Sequence, residues 1–123
     1  MSKYKSLDKA KALEAVKIDA YILDELSDEL KNDYDVVRTA VELKPYALGS
    51  ASQTLKNNAA LVLGAIKANP NTARYIGPEL QKNMTFLRDA YTITPKIVDF
   101  IEDASFKEQF IKSLPATLVA KSA

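Results

Sequence analysis

Within residues 34–43 the apolar side chains fall at Val36, Val37, Ala40, Val41 and Leu43. Spacings of three and four gather them on one face of a helix about ten residues long. The surrounding text is then written again: "LKNDYDVVRTAV" at Leu30 returns as "LKNNAALVLGAI" at Leu55 and, more freely, as "LQKNMTFLRDAY" at Leu80. The period is 25 residues with no insertion, and a fixed period of this size is the mark of stacked helical units. Ala15, Ala40, Ala65 and Ala90 share one phase, each followed by a larger apolar residue at 16, 41, 66 and 91. Leu23, Leu48, Ala73 and Val98 share another, as do Leu26, Ala51, Ile76 and Ile101.

Each copy predicts two short helices. Asp8, Asp33, Asn58 and Asn83 stand just before the apolar pattern, where a side-chain oxygen accepts a bond from an orphaned helix amide. The first helix, A, is expected to stop at Lys44, Asn69 and Thr94, because Pro45, Pro70 and Pro95 disfavour helical geometry in the residue before them. The same prolines suit the first position of a second helix, B, of about two turns. Copy one replaces this arrangement with Asp19 and Ala20, a good cap without proline. "SDEL", "SQTL" and "GPEL" predict tight turns that plug Leu30, Leu55 and Leu80 between neighbouring helices. The recurring alanine fits close helix approach.

A helix pair of this size buries too little apolar surface alone, so the expected fold is an all-α α-solenoid of four helix-turn-helix repeats near 5–29, 30–54, 55–79 and 80–104. "SFKEQFIKSL" puts Lys112 where the other copies are apolar, and predicts a polar-backed capping helix over 105–114 with a frayed tail over 115–123. A single domain is the expectation for 123 residues.

In "LKNDYDVVRTAV", the following "PYALGSAS" and the return to "TLKNNAALVLGAI", the chain resembles the bacterial and phage helical repeats catalogued as domain of unknown function 4116. The resemblance runs from residue 11 to about 102 and is strongest in copies two and three. Copy four departs in "FLRDAY" and "FIED", and copy one lacks the asparagine before its cap. The resemblance implies helical pairs and no particular activity.

Composition narrows the chemistry. With no cysteine and no histidine, the chain lacks thiolates, disulfides, zinc-cysteine sites and the usual proton shuttle at neutral pH. The acidic group Asp28, Glu29, Asp33 and Asp35 lacks the spacing and glycine of a calcium loop and reads as solvated helix termini. Glycines at 49, 64 and 77 are too scattered to cradle phosphate. Asn83-Met84-Thr85 matches a glycosylation acceptor, but the cap role explains Asn83. No enzyme activity and no cofactor are expected. Seventeen basic residues face sixteen acidic ones, giving no field for nucleic acid or anionic membrane. The opening "MSKYKSLDKAKALEAVK" has no long apolar run, so a cytoplasmic location without membrane contact is expected.

The expected function is a protein–protein interaction module, in a phage or bacterial accessory or inhibitor protein that binds a host or virion component. The alternative is a nucleic-acid-binding helical repeat, since such repeats can read one base each; Lys31, Lys56 and Lys82 approach a basic track, the last one residue out of phase. Tyr21 and Tyr46 share a phase at the start of helix B, and Tyr75 lies on the next helix B. Tyrosine gives broad contact at low entropic cost, so these three are candidate partner contacts, although the same rings suit lids over the core. Tyr46 is the better contact of the first two, with Tyr21, beside Ile22 and Leu23, doing more covering. The exposed helix A positions Arg38, Leu63 and Arg88 are the next candidates.

Overall fold

A computed structural model describes residues 3–116. Most of the expected tail, residues 117–123, lies outside the described residues. The chain is all-α, with no strand among the described residues. A short 3₁₀ helix η1 (Lys3–Ser6) leads into α1 (Lys9–Ile18), η2 (Ala20–Glu25) and α2 (Asp28–Lys31). There follow α3 (Tyr34–Leu43), η3 (Pro45–Ser50), α4 (Gln53–Lys56), α5 (Ala59–Ala68) and η4 (Pro70–Tyr75). The chain then forms η5 (Leu80–Lys82), α6 (Met84–Ile93), η6 (Pro95–Phe100) and α7 (Ala104–Ser113). The helices α1, α3, α5 and α6 each have ten residues and begin at 9, 34, 59 and 84.

All four expected caps form. Asp8, Asn58 and Asn83 accept from the amides of Lys11, Leu61 and Phe86 at 2.9, 3.0 and 3.0 Å, and Asp33 accepts from both Asp35 and Val36. The stops also fall as expected: Asp19, Lys44, Asn69 and Thr94 are extended, with φ between −140° and −151°, and each begins the following 3₁₀ helix. Asp19 and Asn69 also cap that helix, accepting from the amides of Tyr21 and Asn71.

Helix B differs from the expected α-helix in being 3₁₀ throughout. Its bonds reach three residues back, as from Ala47 N to Lys44 O at 2.9 Å and from Ala51 N to Leu48 O at 3.0 Å. Six residues between an extended cap and another extended residue leave room for two tight turns, a length at which 3₁₀ geometry is common. The expected turns are also helical: α2 and α4 are single turns capped by Ser27 and Ser52.

The recurring apolar phases form the core. Leu23, Leu48 and Ala73 are buried, as are Leu26, Ala51, Ile76 and Ile101, and Leu30, Leu55 and Leu80. Ala40, Ala65 and Ala90 are buried too, while Ala15 is half-buried. In copy four the neighbouring Ile97, not Val98, is the fully buried residue. Consecutive ten-residue helices pack together, α1 on α3, α3 on α5 and α5 on α6, and the 3₁₀ helices η2, η3, η4 and η6 pack in a second row beside them. The last helix begins one residue before the expected 105; it buries Phe110 and Leu114 and leaves Lys112 exposed in an ion pair with Glu108.

Main-chain bonds join neighbouring units. Ser52 N donates to Lys31 O at 3.0 Å, and Gly77 N donates to Lys56 O at 2.8 Å. Glycine at 77 has lost the serine hydroxyl that caps the two earlier turns, and a side chain from the preceding unit takes over. Asn57 Oδ1 accepts from the amides of Glu79 and Leu80 at 2.9 and 3.4 Å, while its amide group donates to Gln53 O at 3.1 Å. A Cβ at position 77 would overlap this amide group, which accounts for the glycine. At the next junction Gln81 Oε1 accepts from Glu102 N at 3.0 Å.

Gly77→Ala is therefore expected to cost about 1–3 kcal/mol by displacing Asn57. The coupling is checked by a double-mutant cycle with Asn57→Ala in urea unfolding. Losses that fall well short of additive are expected, and simple additivity would show that residue 57 is not what residue 77 accommodates.

Candidate interaction surface

The 3₁₀ row positions the three candidate tyrosines. Tyr21 and Tyr46 occupy the second residue of η2 and η3, where the extended caps Asp19 and Lys44 turn the chain outward. Tyr21 is 49% exposed and Tyr46 37%, so Tyr21 is the less covered of the two, the reverse of the sequence expectation. Tyr75, at the end of η4, is half-buried against the core. Its ring meets Tyr46 edge-on, with centroids 6.4 Å apart and planes at 88°, and it covers Gly49 so closely that a Cβ there would sit 2.8 Å from a ring carbon. The structure thus brings Tyr46 and Tyr75 together, with Tyr75 as the lid and Tyr46 at the surface.

Two residues absent from the sequence candidates stand beside them. Ile18, the last residue of α1, is 87% exposed, and Leu43, the last of α3, is 50% exposed. They occupy equivalent positions and precede Tyr21 and Tyr46 by three residues. That recurrence was visible in the sequence, but an apolar residue in phase within a helix normally signals core. Here the chain leaves the helix at the next residue and turns the side chain outward.

The helix A candidates are divided by burial. Arg38 and Arg88 are exposed, and Arg38 reaches Glu42 at 3.6 Å. Leu63 is not the exposed position expected: it is half-buried and packed against the core, because α6 lies alongside α5 there. Between α3 and α5 runs an open hollow of about 270 Å³, with Tyr34 and Arg38 on one wall and Ala60, Gly64 and Ala68 on the other. Leu63 lines a second hollow of about 260 Å³ between α5 and α6.

The acidic residues considered for chemistry are engaged in structure. Lys9 Nζ lies 3.2 Å from Asp33 and 2.8 Å from Asp35, linking α1 to the start of α3. The Lys9 hydrogen bond holds the Asp35 carboxyl below its ordinary pKa, and bonds to Asp35 and Asp33 raise that of Lys9. Asp103 is likewise lowered, chiefly by the Phe106 amide it accepts from as the cap of α7, and also by Lys82. No group of three or more acidic, histidine or cysteine side chains among the described residues is arranged to hold a metal ion. No helix among them is long and apolar enough to cross a membrane.

Fold and surface together define an all-helical chain with an aromatic and aliphatic edge. Residues 8–56 match the model of a family described as a domain of unknown function, DUF4116. The match takes in the first two units and ends at the Asn57 junction, short of the 11–102 range that the sequence resemblance covers. No curated protein and no solved structure matches the chain.

Proposed function

We propose that the units stack as an α-solenoid of four 25-residue repeats and that the protein is a non-catalytic interaction module for another protein. One observation carries this reading: Ile18, Tyr21, Leu43 and Tyr46 place large apolar side chains in water at equivalent positions of two successive units. Scattered apolar residues are normal on a surface, whereas a recurrent set at one edge offers a contiguous contact. Aromatic anchors of this type dominate binding energy at protein interfaces. Nucleic acid, the second reading, would require a basic track, and Lys31 and Lys56 instead lie at the ends of α2 and α4, away from the tyrosine edge. A phage or bacterial accessory role, acting in the cytoplasm, fits the small size and the family resemblance.

The test is affinity capture from nuclease-treated lysate with the wild-type chain and with Tyr46→Ala. A single stoichiometric protein is expected with wild type. The variant should keep its melting temperature and bind that protein more weakly by about 2 kcal/mol. Loss of all captured material after nuclease treatment would favour nucleic acid instead.

A further inference from the structure

Between Lys17 and Lys31 the chain holds five acidic residues and no basic one, although the whole protein has a net charge of only +1. The acidic residues of this stretch are exposed. Three of them border the apolar edge. Asp19 directly follows Ile18, and Asp24 lies three residues after Tyr21 in η2, a spacing at which 3₁₀ side chains eclipse on one face. Glu25 is the last residue of the same helix. Asp24 Oδ1 also accepts from Ser50 Oγ of η3 at 3.3 Å, which carries the acidic border across to the helix bearing Tyr46. Asp19 accepts from the Tyr21 amide. Both of these donors are neutral, so the bonds fix the carboxylates in place without cancelling their charge.

We propose that this edge docks a cationic, apolar-faced segment of a partner protein, with apolar side chains against Ile18, Tyr21, Leu43 and Tyr46 and lysine or arginine over Asp24 and Glu25. The inference rests on the interaction-module reading and adds the chemistry of the partner. Complementary charge speeds encounter and fixes register, while the apolar contacts supply most of the affinity. A guanidinium above the Tyr21 ring gains from the aromatic face as well. The same acidic border repels nucleic acid and anionic lipid from this edge.

The test uses the full ¹⁵N-labelled chain and two short amphipathic peptides of equal length, one of lysine and leucine, the other of glutamate and leucine. The lysine peptide is expected to shift amide resonances within 18–29 and 43–50, and to bind at least about tenfold more tightly than the glutamate peptide. Raising the salt from about 50 to about 300 mM should weaken it several-fold. Asp24→Asn with Glu25→Gln keeps side-chain shape and should cost about tenfold in affinity, whereas Asp99→Asn with Glu102→Gln should not. Equal binding of the two peptides, shifts located elsewhere, or an unaffected Asp24→Asn/Glu25→Gln variant would overturn the proposal. If the protein captured from lysate still depends on Tyr46 but is indifferent to the Asp24 and Glu25 substitutions, the charge inference fails and the module reading stands.

Discussion

Phe110→Ala is expected to lower stability by about 3–5 kcal/mol, the range for emptying a well-packed phenylalanine site. Phe110 is fully buried and meets Tyr91 edge-on, with centroids 6.2 Å apart and planes at 70°. It is also the main anchor of α7, whose other apolar side chains include the half-buried Phe106 and the exposed Ile111. Truncation removes the aromatic pair and opens a cavity beneath a helix with little else to hold it. Tyr91 and its neighbours on α6 then face water at one end of the helical row. Urea unfolding followed by circular dichroism reads the loss directly, with Ile111→Ala as the matched control at an exposed position of the same helix. A loss under about 1 kcal/mol for Phe110→Ala would mean that α7 contributes little to the fold.

Leu48→Ala should cost about 2–5 kcal/mol, with the upper half of that range expected. Leu48 is fully buried in η3, the 3₁₀ helix that packs on α3 and α5 in one direction and on η2 and η4 in the other. A cavity there faces three units at once, so none can close it alone. The unfolding curve matters as much as its midpoint. One shifted transition is expected, because each unit is too small to persist without its neighbours. Two separated transitions would show that the halves on either side of η3 fold independently, and would contradict the packing described for this helix.

The parts of the fold legible in the sequence were those decided within a few residues. A cap needs an oxygen a short step before a helix amide, and Asp8, Asp33, Asn58 and Asn83 supply it locally. The stops at Lys44, Asn69 and Thr94 follow from steric conflict with the next residue alone. What escaped the sequence depends on a neighbouring unit. Asn57 looks like one more polar residue before a cap, and only the approach of residues 77–80 gives its oxygen two amides to accept from. The 3₁₀ form of helix B escaped for a different reason, since six residues with two adjacent apolar positions fit either helix type. At the surface, Arg38 and Leu63 share a phase yet differ in burial, because α5 and α6 lie closer there than α3 and α5. Tyr21, Tyr46 and Tyr75 were legible as a set. Their division into two surface rings and one lid was not, because Gly49 makes room for the Tyr75 ring from another unit.

The junction bonds have a bearing on how the chain reaches this structure. Lys9 with Asp35, Ser50 with Asp24, Ser52 with Asn32, Glu79 with Asn57 and Glu102 with Gln81 are separated by 26, 26, 20, 22 and 21 residues. Each bond closes a loop of nearly the same length, so the entropic cost of closure hardly changes from one end of the molecule to the other. None of these contacts waits for a distant part of the chain. A nascent polypeptide can settle each unit against the last as it emerges from the ribosome, and the order of folding follows the order of synthesis without a topological obstacle.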